Sequence, residues 1–92
     1  MEQKFISAWA EARKTAQSLG VRMRPIPDGE AMKQARRILS GHKESDGFWE
    51  LCDKHRADLT LEALAVKKQF TALFSDEEAN NALSRLLSAE QF

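Results

Sequence analysis

One cysteine, no tyrosine, two prolines and four glycines stand among the 92 residues, and no long apolar run interrupts them. Each shortage excludes something. A single thiol, Cys52, forms no internal disulfide. No stretch approaches the roughly 18 apolar residues that span a bilayer, so no transmembrane helix is expected. The opening residues, Met1-Glu2-Gln3-Lys4-Phe5, lack the apolar core of a signal peptide. Together these features point to a reducing cytoplasm. Gly20, Gly29, Gly41 and Gly47 are scattered, which rules out a glycine-rich phosphate loop.

Catalytic and metal-binding sets are also missing. Cys52 and His55 stand three apart, so a helix would put them on one face, and His42 adds a third ligand type. A structural zinc site needs four ligands, usually as two close pairs, and no second pair exists. The same two residues suggest a thiolate–imidazole pair, but nothing orients the histidine and no turn offers an oxyanion hole. Cys52 reads as an inert small hydrophobe. Glu50 and Asp53 read as solubilising charges, and Asp76, Glu77 and Glu78 as helix-capping acids. No catalytic residue, no metal site and no cofactor is therefore expected.

What the chain does contain suits one globular domain over residues 1–92. Hydrophobic residues make up 42% and charged residues 30%, too apolar for a disordered segment. Phe5, Ala8, Trp9, Ala12, Ala16 and Leu19 recur at intervals of three and four, predicting a helix over 2–19. Gly20 follows where a left-handed cap is wanted. Residues 20–29 read as a stiff loop, because Pro25 and Pro27 push their predecessors out of helical conformation. A second helix is predicted over 29–40, capped by Asp28, with Met32, Ala35 and Leu39 inward and Lys33, Arg36 and Arg37 outward.

A third helix is expected over about 47–56, capped by Ser45 or Asp46, with Phe48, Leu51, Cys52 and His55 on one face. A short fourth, near 60–67, has Asp58 and Thr60 as cap candidates and Leu61, Leu64 and Ala65 inward. Residues 69–74 fit either a helical turn or a buried linker. Ser75-Asp76-Glu77-Glu78 is a capping box that opens the last helix, whose stripe is Ala79, Ala82, Leu83, Leu86 and Leu87. No segment alternates as a half-buried strand does. The expected fold is all-α, a compact bundle of four to five short helices.

Charge is balanced overall but unevenly placed. Residues 1–43 hold nine basic side chains against four acids; residues 44–92 hold five against ten. Either the halves attract one another, or the first half offers a basic face to an anionic partner. Arg22 and Arg24 in the loop, with Lys33, Arg36 and Arg37 on the second helix, are the candidate partner-binding residues. Their gathering would suit phosphates or a row of acidic side chains. No aromatic is interleaved with them, and no helix-turn-helix, homeodomain or RNA-binding signature appears. Trp9, Trp49 and the five phenylalanines are expected mainly in the core, and any exposed aromatic beside the basic set would make a protein-binding anchor.

Three segments carry a resemblance: Gly47-Phe48-Trp49-Glu50-Leu51; Arg56-Ala57-Asp58-Leu59-Thr60-Leu61-Glu62-Ala63-Leu64; and Leu73-Phe74-Ser75-Asp76-Glu77-Glu78-Ala79. Over roughly half its length the chain resembles small proteins of phages and mobile elements. It is also similar, in size and helical economy, to phage-encoded anti-CRISPR proteins. That resemblance implies a non-enzymatic inhibitor in the host cytoplasm, binding a type I CRISPR surveillance complex stoichiometrically. Its partner would be a protein or ribonucleoprotein with an acidic or phosphate surface, with no membrane involved. The alternative is a small nucleic-acid-binding accessory or regulatory protein using the same basic residues.

Overall fold

The computed structural model describes residues 2–27 and 29–90 and is all-α: five α-helices and two 3₁₀ turns, with no strand among the described residues. The helices are α1 (Glu2–Ser18), α2 (Ala31–Ser40), α3 (Phe48–Asp53), α4 (Leu61–Ala65) and α5 (Asp76–Glu90). The 3₁₀ turns are Ala57–Leu59 and Thr71–Leu73. Helix α5 lies across α4 and α2, while α1 packs on α2, α4 and the first 3₁₀ turn. No described helix is long and apolar enough to cross a membrane.

Helix α1 buries Phe5, Trp9, Ala12 and Ala16, four of its six predicted apolar positions. Phe5 is the centre of an aromatic cluster. Its ring lies 5.3 Å from Phe70 and 5.1 Å from Phe74, both edge-on, and 6.1 Å from Trp9. Edge-to-face packing suits the ring quadrupoles. Residues 69–74 are thus both things the sequence allowed: a 3₁₀ turn, and a segment anchored by buried Phe70 and Phe74.

Two helices end in the same motif with different residues. After α1, Val21 N–H donates to Ala16 O and Gly20 N–H to Gln17 O, with Gly20 at φ +90°. After α3, Arg56 N–H donates to Leu51 O and His55 N–H to Cys52 O, with His55 at φ +60°. Both are Schellman caps, and the second places a side chain where glycine is preferred. This cap ends α3 earlier than the predicted 47–56. It also takes His55 off the face it was to share with Cys52.

Other expectations are corrected. Helix α2 begins at Ala31 rather than 29, with Glu30 at the cap position; Asp28 lies outside the described residues. Neither Ser45 nor Asp46 caps α3, because tertiary partners claim both side chains: Glu62 takes Ser45 and Arg24 takes Asp46. Helix α4 stops at Ala65, short of 67, and is capped by Thr60, whose hydroxyl accepts from Ala63 N–H. Asp58 pairs instead with Arg56 at 3.1 Å, and that guanidinium holds its carboxyl below the ordinary range. The small stabilisation from this exposed pair is present at neutral pH and fades as acid protonates Asp58.

Helix α5 opens with the capping box. Glu78 N–H donates to Ser75 Oγ at 3.1 Å, and Ser75 N–H donates to Glu78 Oε1 at 2.8 Å. Its predicted stripe is only partly inward: Ala82 is buried, but Leu83 and Leu87 are 47% and 50% exposed. The face that docks carries Asn81 and Arg85 instead. Arg85 reaches Glu62 Oε2 at 3.2 Å, Ile38 O at 3.2 Å and Gly41 O at 2.8 Å; Asn81 Nδ2 donates to Leu39 O at 2.9 Å. Glu62, with 0% exposure, also accepts from Ser45 N–H at 2.9 Å and Ser45 Oγ at 2.6 Å. No buried described side-chain polar atom lacks a partner.

Removing one side of such a pair strands a buried charge. Glu62→Ala should destabilise by about 3–5 kcal/mol, and Glu62→Leu combined with Arg85→Met should recover much of that loss, in urea unfolding. Equal losses in the single and double variants would contradict this coupling. His55→Gly should relieve the left-handed cap by about 1 kcal/mol, raising the melting temperature by about 4–8 °C. Gly20→Ala at the matching position should lower it.

Candidate functional site

A cleft of about 470 Å³ opens between the 23–27 segment, the second half of α2 and the 41–46 connection. Its apolar lining comes from Trp9, Leu59 and Leu61, which are buried, and from Met23, Ile26 and Ile38, which are half-buried. Around these stand Arg13, Arg24, Arg37, His42 and Lys43, together with Glu44 and Asp46. The volume falls in the range of ordinary ligand pockets, and a few polar groups around an apolar surface is their usual composition.

The walls are held by contacts that start in the core. Ser45 is fixed by Glu62, so its neighbours in the 41–46 connection are fixed too. Asp46 accepts from Arg24 N–H at 3.2 Å and lies 3.8 Å from the Arg24 guanidinium. Arg13 donates to Arg24 O at 3.3 Å, and its guanidinium carbon stands 5.7 Å from the Trp9 ring centre. That cation–π contact follows from the four-residue spacing of Trp9 and Arg13 on α1. Gly47 locks the far side. At φ +75° it favours glycine, and a Cβ there would stand 2.5 Å from Val21 Cγ1 and 3.3 Å from Met23 Cε.

Carboxylates in the cleft are already engaged. Asp46 holds Arg24, and Glu44 accepts from Trp49 Nε1–H at 3.0 Å. Arg37 and Lys43 have side chains with no hydrogen bond or ion pair among the described residues. Arg85 adds to the contrast from below. Helix C-terminal carbonyls carry partial negative charge, and here Arg85 covers those of Ile38 and Gly41.

The five candidate residues do not form one surface. Arg24 and Arg37 meet at the cleft; Arg22, Lys33 and Arg36 are exposed but do not line it. Arg36 turns the other way, 3.6 Å from Glu2 and donating to Leu73 O at 3.2 Å. Neighbouring helical residues point about 100° apart, which is why Arg36 and Arg37 part company. Of the ion pairs among the described residues, Arg24–Asp46 alone joins the two halves of the chain. Arg13, His42 and Lys43 complete the cleft and were missed, although Arg13 carried a signal in its spacing from Trp9.

No protein-family model, curated protein or solved structure matches the chain.

The remaining chemistry is sparse. No group of three or more His, Cys, Asp or Glu side chains is placed to hold a metal ion among the described residues. His55 is exposed at its cap, so Cys52 has no imidazole from its own helix face. Burial first, and then the Glu62 and Asp53 carboxylates, push the Cys52 thiol up. Less thiolate means slower attack. At about pH 8, iodoacetamide should alkylate Cys52 several-fold more slowly in the native protein than in urea, with the gap narrowing as pH rises. Equal rates would refute the shift.

Proposed function

We propose that the protein is a non-enzymatic binder, acting stoichiometrically through the basic cleft on an acidic or phosphate-bearing surface of a protein or ribonucleoprotein. One observation carries this reading: among the described residues, Arg37 and Lys43 have no side-chain hydrogen bond or ion pair, at a cleft whose described carboxylates are engaged. Cations left unpaired at a shaped, partly apolar cleft steer an anionic partner and fix its register. Arg13, held by the Arg24 carbonyl and against the Trp9 ring, adds positive charge that needs little reordering on binding.

The resemblance to phage and mobile-element proteins makes the reading more specific. In that form the protein is an anti-CRISPR inhibitor that occupies a type I surveillance complex in the host cytoplasm and blocks target DNA or a conformational change. A protein surface is favoured over bare nucleic acid. The sequence pI of about 6.7 opposes a uniform phosphate backbone. Nucleic-acid binding is the second reading, favoured by exposed Arg22 and Lys33, whose side chains have no hydrogen bond or ion pair among the described residues.

The test is an interference assay with the protein in excess, paired with pull-down of the surveillance complex. Wild type should suppress interference, and Arg37→Glu with Lys43→Glu should weaken capture about tenfold or more. Unimpaired interference across several CRISPR types overturns the anti-CRISPR form. A gel shift of the isolated protein that weakens steeply with salt would favour nucleic acid instead.

A further inference from the structure

We propose that the cleft takes a peptide segment of its partner in which an apolar side chain is flanked by carboxylates. This rests on the binding reading above and names the chemistry of the element that is bound. The argument starts from the mismatch between the cleft's two components. A site for phosphate alone needs cations and backbone donors, yet this one exposes parts of Met23, Ile26 and Ile38 over buried Trp9, Leu59 and Leu61. Water against the exposed part of that surface is released by an apolar group.

Cations share this lining. Arg37 comes from α2, Lys43 from the connection after it, Arg24 from the 23–27 segment and Arg13 from α1. An anchor seated on the apolar lining brings carboxylates before and after it within reach of these cations. The walls are preorganised: the Arg24–Asp46 contact, the Arg13–Arg24 contact and the close approach of Gly47 to Val21 hold the 21–27 segment. Little ordering is left for binding to accomplish.

Calorimetric titration of the whole protein with three probes tests this. The first is a short capped glutamate peptide with a central Phe-Leu. The second has Gly-Ser at the centre, and the third is a single-stranded oligouridylate. The Phe-Leu peptide should bind at least about tenfold tighter than the Gly-Ser peptide, because only its centre can bury apolar side chains. Ile26→Ser should erase that preference, while Arg37→Glu with Lys43→Glu should weaken both peptides; Lys68→Glu, away from the cleft, should change neither. Circular dichroism checks that each variant is folded. Equal binding of both peptides, still dependent on Arg37 and Lys43, overturns the anchor but leaves the basic binder standing. Tighter binding of the oligouridylate than of either peptide also overturns it. Binding of the peptides that ignores the charge reversals removes the cleft, and the reading it rests on, together.

Discussion

A carboxylate with no exposure to water holds this bundle in register. Glu62 needs partners for its charge, and Ser45 and Arg85 supply them. Arg85 in turn satisfies carbonyls at the end of α2, where a helix leaves acceptors without intrahelical donors. One ion pair therefore ties the end of α2, the 41–46 connection, α4 and α5. Buried pairs of this kind contribute little net stability compared with apolar packing. Their effect is selective: a different docking of α5 would strand a charge.

That constraint reaches the surface by a short path. Glu62 holds Ser45, and Asp46 follows directly in the chain. Asp46 holds Arg24, whose carbonyl accepts from Arg13, and Arg13 lies over Trp9. Core and cleft are thus consecutive links of one hydrogen-bonded chain. Helices α3 and α4, of six and five residues, are far too short to be stable alone. They persist because their ends are tied, one by the His55 cap and the other by Thr60.

Local signals in the sequence were legible, and long-range polar ones were not. The α1 stripe, the left-handed Gly20, the Ser75–Glu78 capping box and the all-α class all follow from residues within a few positions of each other. Glu62 and Arg85 were invisible because a charged side chain in a helix reads as solvated until its partner, 23 residues away, is known. The candidate site was half legible for the same reason. Clustered Lys33, Arg36 and Arg37 announce a basic helix side, but only packing shows that Arg36 turns to Glu2 and Arg37 to the cleft. Lys43, isolated in a polar connection, gains significance only from where the fold delivers it.

The exposed leucines of α5 show why unpaired charge, rather than exposed apolar surface, supports the binding reading. Arg85 and Asn81 must face α2 to reach its carbonyls, and a helix is rigid about its axis. Turning those two inward turns Leu83 and Leu87 outward, since each helical residue is displaced by about 100° from the next. Their exposure is thus a consequence of how α5 is docked. Nothing in the core accounts for Arg37 and Lys43 in the same way. Arg37 does sit in the last turn of α2, where a cation suits the helix dipole, but among the described residues neither side chain has a hydrogen bond or ion pair, and both stand beside apolar side chains. On the proposed reading, an anionic partner would supply the complement that the described residues do not provide.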